Sequence, residues 1–121
     1  MWDSFVEAAK TSDADFPALR TYASDDALKL IVGALATNRH ENKVILGDLR
    51  VDPKATSATP PEAPADVAVL DCVNDEKWLV YNASGGLVND KPGGRHQTTA
   101  TVKLGSSGWK VSRFVIGDQS C

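Results

Sequence analysis

Two cysteines, two histidines and a scatter of carboxylates are the side chains in this 121-residue chain with the most chemistry to offer. Cys72 lies mid-chain and Cys121 is the last residue, with no CxxC pair and no Cys/His set at zinc spacing. An even pair of this kind reads first as one disulfide. Closing a loop of roughly 50 residues stabilises by about 4 kcal/mol in the chain-entropy account. The competing reading is a thiolate nucleophile at Cys72 activated by His40 or His96, which needs a spatial partner that the spacing does not locate.

His40 follows Asn38-Arg39 at the expected end of a helix, where a cation suits the helix dipole, so capping explains it better than catalysis. His96 starts an expected strand after Pro92-Gly93-Gly94-Arg95. Backbone N–H groups of that loop, with Arg95 and His96, are the candidates for an anion contact. No helix follows the glycines and no Lys-Ser or Lys-Thr comes after them, so the segment is not a phosphate loop, and a hairpin connection is the plainer reading. Asp13, Asp15, Asp25 and Asp26 lack the alternating oxygens and turn glycine of a calcium loop. They suit helix first turns and N-caps instead. No metal, cofactor or catalytic residue is therefore expected. Asn82-Ala83-Ser84 fits an N-glycosylation sequon, which matters only in a glycosylating host.

The elements that must position these groups follow from periodicity. Trp2, Phe5, Val6 and Ala9 fall on one helical face, and a break over Thr11 to Asp15 leads to a second short helix with Pro17 in its first turn. Ser24 or Asp25 caps a third helix, whose stripe is Leu28, Ile31, Val32 and Leu35. The pattern changes at Lys43, with Val44 to Val51 reading as a strand. Residues 53–65 carry Pro53, Pro60, Pro61 and Pro64 and read as a long Pro-rich loop holding neither a helix nor a central strand. Strands are expected at 66–73 and 77–83, separated by a polar Asn74-Asp75-Glu76 turn, and at 96–104 and 109–116. Ser84-Gly85-Gly86, residues 89–95 and Gly105 to Gly108 supply the other turns. Helices followed by antiparallel strands make an α+β protein.

Composition excludes several classes. Lys plus Arg number 13 against 16 Asp plus Glu, and a net charge of −3 argues against nucleic-acid binding, which needs a basic surplus. No apolar run approaches the roughly 18 residues of a membrane span. The length suits one domain over residues 1–121 with a sizeable core.

Several segments together resemble the nuclear-transport-factor-2-like (NTF2-like) superfamily, including its SnoaL-like and cystatin-like relatives. The helical start carries Trp2, Ala8-Ala9, Phe16-Pro17-Ala18-Leu19 and Tyr22-Ala23-Ser24. Val69-Leu70-Asp71-Cys72-Val73, Trp78, Pro92-Gly93-Gly94-Arg95, Gly108-Trp109-Lys110-Val111 and Cys121 resemble a branch of small secreted proteins and lipoproteins of actinobacteria. The resemblance implies N-terminal helices packed on a strongly curved antiparallel sheet, a cone around a pocket, a Cys72 to Cys121 bridge and an export leader upstream. No Asp/His or Asp/Tyr set matches those of the superfamily's enzymes.

The expectation is thus a non-enzymatic, extracellular or envelope-associated domain, without its leader, that binds a small apolar ligand or a protein partner. Its rival is a small isomerase, cyclase or dehydratase using the cone as active site. Tyr22, Trp78, Trp109 and Arg113 are the candidates for lining a pocket, because such sites are apolar with one or two polar groups. A homodimer through the sheet is the third option.

Overall fold

The computed structural model describes residues 1–89, 91 and 93–121. Three helices come first, α1 (Trp2–Ala9), α2 (Pro17–Tyr22) and α3 (Asp25–His40). Five strands follow, β1 (Lys43–Arg50), β2 (Lys54–Thr59), β3 (Asp66–Asn82), β4 (Arg95–Gly105) and β5 (Gly108–Ile116). The fold is α+β, with the helices packed against a strongly curled antiparallel sheet.

Each helix buries the face its spacing dictates. In α1 the buried residues are Ser4, Phe5, Ala8 and Ala9; in α3 they are Ala27, Ile31 and Leu35, at intervals of four. Pro17 stands in the first turn of α2, where its missing N–H costs no helical bond. The break between α1 and α2 is fixed by Ser12, which adopts φ 49° and donates its hydroxyl to the Lys43 carbonyl at 2.5 Å. Asp13 accepts the Asp15 N–H at 2.9 Å, closing a local turn. Ser24 precedes α3 in an extended conformation without a side-chain cap. Its N–H goes instead to the Val111 carbonyl at 2.9 Å, tying the helix start to β5.

β3 is the spine of the sheet. Its first half pairs with β2 and its second half with β1 on the same side, while β4 and then β5 lie on the other. Asp48 pairs with Lys77 but Arg50 with Asn74, so β3 holds one residue more than β1 at this point. Such a bulge bends a strand and swaps which side chains face inward. Asp71 and Val73 are buried before it, whereas Trp78 packs against the core after it. A second slip, between Thr101 and Val102, adds to the curl where β4 meets β5.

The core between helices and concave face comprises Phe5, Ala8, Ala9, Leu19, Ala23, Ala27, Ile31, Leu35 and Phe114. Trp2 meets Phe114 edge to face at 5.0 Å and Phe5 meets Trp78 the same way at 5.1 Å. Gly47 makes the close approach of β1 to β3 possible. It has φ 112°, and a Cβ there would fall on the Lys77 carbonyl.

Two expectations need correction. Asn74-Asp75-Glu76 is the bulge inside one continuous 17-residue strand, not a turn between two. Its polar side chains are satisfied where they stand, since Asn74 accepts the Glu76 N–H and Asp75 accepts the Gly94 N–H. Residues 53–65 are not loop throughout. Six of them form β2, which pairs with β3 alone and is exposed along its whole length, so the prolines confine the turn to the residues after Thr59.

Candidate functional site

Register and burial divide the sheet into two faces. On the concave face Asp71 stands opposite Thr98, Val73 opposite His96 and Val69 opposite Ala100. Val69, Asp71, Thr98 and Ala100 border a cleft of about 170 Å³ whose other walls are Met1, Trp2, Pro53, Val102 and Val111. The cleft is mostly apolar, with a single ionisable side chain. Asp71 is only 5% exposed and Thr98 only 1%. Asp71 Oδ1 accepts the Asp52 N–H at 2.7 Å, clasping the connection between β1 and β2, and the Thr98 hydroxyl donates to the His96 carbonyl at 3.2 Å.

His96 is engaged elsewhere. Its Nε2 lies 3.2 Å from Asp75 Oδ1, which also accepts the Gly94 N–H at 2.8 Å. The Asp75–His96 pair therefore holds the start of β4 against the bulge, and neither residue lines the cleft. A general base needs to sit within hydrogen-bond reach of the proton it takes. Asp71 and His96 stand on the same face without converging on a common point.

The convex face is different. Ala68, Leu70, Thr99, Thr101, Arg113 and Val115 line an open groove of about 430 Å³ that reaches Thr56 of β2. Beyond the groove at one end, Asp66, Lys103 and Lys110 stand opposite one another across β3, β4 and β5. Arg113 pairs with Thr101 and projects on the same side. None of these three cations makes an ion pair among the described residues. A separate recess, of about 190 Å³, gathers Asp48, Arg50, Asn74, Glu76, Lys77 and Arg95, with acids and bases intermixed.

The four residues expected to line one pocket are not brought together. Tyr22 is 50% exposed on α2 and Trp109 43% exposed near the start of β5. Trp78 belongs to the core, its Nε1 buried without a hydrogen-bond partner among the described residues. Arg113 lies on the convex groove. The expected anion contact also separates, since Arg95 borders the mixed-charge recess while His96 turns to Asp75, and Pro92 lies outside the described residues. The residue that sequence reasoning missed as a candidate is Asp71. The signal was there in the alternation of Val69, Asp71 and Val73, which sets a carboxylate on the same face as two inward-facing valines.

Cys72 and Cys121 form a disulfide, their Cα atoms 5.8 Å apart, which removes the thiolate nucleophile from consideration. The final residues run beside β4 to reach it, with the Gln97 N–H bonded to the Gln119 carbonyl and the Gly117 N–H to the Gln97 carbonyl. Among the described residues no group of three or more His, Cys, Asp or Glu stands close enough to hold a metal ion. No described helix is long and apolar enough to cross a membrane.

No family model matches the chain, and no curated protein matches it. Solved structures share its fold. The intermembrane space region of the chloroplast protein ARC6 superposes with a TM-score of 0.70 at 15% identity, over 95% of this chain and 86% of that one. A domain of unknown function with a cystatin-like fold from Nostoc punctiforme gives a TM-score of 0.52 at 8% identity, over 99% of this chain and 74% of that one. These likenesses, at such low identity, speak for the fold: a cystatin-like, NTF2-like α+β cone.

Proposed function

We propose that this chain is a non-enzymatic interaction domain of an oxidising, extracytoplasmic compartment, and that it holds an acidic, extended segment of a protein partner on the convex face of its sheet. The observation that carries the reading is the open groove over β3, β4 and β5, where apolar Leu70 and Val115 share the lining with Arg113, and Lys103 and Lys110 follow at the next register position beyond it, none of the three in an ion pair among the described residues. Like charges directly opposite on neighbouring strands oppose each other, so the Lys103–Lys110 pair is a cost within the sheet that Asp66, opposite Lys103 on β3, offsets only in part. An acidic partner offsets it. The chain as a whole carries a net charge of −3, which makes this basic row a local feature rather than a reflection of composition.

The other candidate regions support the same choice. The cone interior is occupied by core side chains, and its residual cleft of about 170 Å³ is smaller than the roughly 300–1,000 Å³ of ordinary small-molecule sites. No acid and base converge there, which argues against the isomerase, cyclase or dehydratase alternative. The disulfide supports an oxidising compartment. The ARC6 region shares the fold and lies in an intermembrane space, in keeping with an extracytoplasmic setting. Export and envelope association, in the manner of the actinobacterial secreted proteins that the sequence resembles, complete the proposal. A second copy of the chain is a poorer occupant of the groove, because stacking two convex faces brings two basic rows together.

The test is a titration of the isotope-labelled oxidised domain with a peptide alternating Glu and Val, followed by amide chemical shifts, beside a peptide alternating Lys and Val. The acidic peptide is expected to shift amides at 68–70, 99–103 and 110–115, and the Lys103→Glu/Arg113→Glu variant to lose that response. Equal response to both peptides, or no saturable response on this face, overturns the reading.

A further inference from the structure

The cleft on the concave face holds an unresolved electrostatic situation. Asp71 is 95% buried, yet among the described residues no Lys, Arg or His approaches its carboxylate within ion-pair distance. One backbone N–H, from Asp52, reaches Oδ1. A carboxylate so far withdrawn from water ordinarily needs a cation or several donors, because desolvation costs several kcal/mol. Its other oxygen, Oδ2, takes no hydrogen bond among the described residues. Nor is it a sealed orphan, for among the described residues the one sealed polar side-chain atom without a partner is Trp78 Nε1. Asp71 lines this apolar cleft and also borders a second hollow on the side of Asp52 and Lys54.

The walls around it suit an organic cation. Val69, Ala100, Val102 and Val111 provide an apolar lining, and Trp2 provides an indole, the aromatic group that attracts cations most strongly. Thr98 adds a hydroxyl oxygen that can accept a further hydrogen bond. At roughly 30 Å³ per water-sized group, the volume of about 170 Å³ accommodates about five or six heavy atoms.

We infer that this cleft is a binding site for a primary ammonium on a short alkyl stem, with the Asp71 carboxylate as its counter-ion. The stem lies against the valines and the ammonium donates to Asp71. An ammonium of this kind comes either from a free alkylamine or from a lysine side chain, whose four methylenes and terminal nitrogen match the available volume. The site is separate from the convex groove, so it stands or falls independently of the function proposed for that face.

The probes are n-butylammonium, Nα-acetyl-lysine N-methylamide and, as an uncharged control of the same shape, 1-butanol. Each is titrated into the isotope-labelled oxidised chain at neutral pH while amide shifts at 69–71, 98–102 and 111 are followed. The expected result is saturable binding of butylammonium at least about tenfold tighter than that of butanol, the scale of a hydrogen bond to a charged group. Binding of the lysine derivative as well assigns the site to a lysine side chain; its failure beside bound butylammonium assigns it to free amines. Asp71→Asn keeps an oxygen for the Asp52 N–H and removes the charge, so binding is expected to fall about tenfold with the fold intact. Should that variant not fold, Val102→Phe fills the cleft and leaves Asp71 in place, and it too should abolish binding. Equal affinity for butanol, unchanged affinity in Asp71→Asn or Val102→Phe, or no saturable shift in the cleft overturns the inference.

Discussion

β3 passes through two environments, and their contrast explains how the molecule is held together. At Val73 and Trp78 the strand turns apolar side chains inward, Val73 buried and Trp78 packed edge to face on Phe5 against the core. From Asp66 to Leu70 it is flanked by β4 and by β2, all six of whose residues are exposed. The first region is stabilised by burial of apolar area, at roughly 25 cal/mol for each Å² removed from water. The second has little to bury and relies on its hydrogen-bonded ladder and on the covalent link from Cys72 to the chain end. Binding surfaces belong to the second kind of region, because a face already buried by its own helices has nothing left to offer a partner.

The largest effect should come from cutting that link. The Cys72→Ser/Cys121→Ser variant releases a loop with a sequence separation of 49 residues, and the expected loss is about 4 kcal/mol in urea unfolding. A loss below about 1 kcal/mol would mean that the ladder alone secures the sparsely buried region. Next comes the buried region itself. Ile31→Ala removes a fully buried side chain and should cost about 3 kcal/mol, whereas Leu70→Ala on the convex face, 38% exposed at the start, should cost under about 1 kcal/mol. Similar costs at the two positions would erase the distinction drawn between the regions.

The same distinction governs what could be read in advance. The helices were legible because periodicity reports burial, and α1, α2 and α3 bury the faces that Phe5, Ala9, Leu19, Ile31 and Leu35 announce. The long strand was not, because Asn74-Asp75-Glu76 looks like a turn until one sees that Asn74 and Asp75 accept backbone N–H groups from Glu76 and Gly94 within a bulge. β2 was illegible for the opposite reason. Lys-Ala-Thr-Ser-Ala-Thr has no apolar alternation, since neither of its faces is buried, and only pairing with β3 makes it a strand. For the site, aromatic residues drew the reading towards Tyr22, Trp78 and Trp109, which went to surface and core. Asp71 was readable from alternation, but a carboxylate in an apolar run acquires its meaning only when the facing strand and its cations are known.

The smallest effect, and the most discriminating, lies in β2. An element without buried side chains contributes to stability only through its hydrogen bonds to β3, and such elements open locally at a fraction of the global unfolding free energy. Native-state hydrogen exchange should therefore find the amides of 54–59 exchanging through local opening, independent of low denaturant, while the β3 amides that donate to β4 and those of 98–102 follow global unfolding. Consistent with this, Ala58→Glu should move the urea midpoint by no more than the equivalent of about 0.5 kcal/mol, as for exposed positions in general. Exchange of the β2 amides at the same free energy as β3 would show one cooperative unit, and the outer groove, which reaches Thr56, would then be a rigid surface along its whole length. Local opening instead leaves one wall of that groove free to adjust, which for an extended partner means ordering β2 at the moment of binding and a lower affinity for the same contact area.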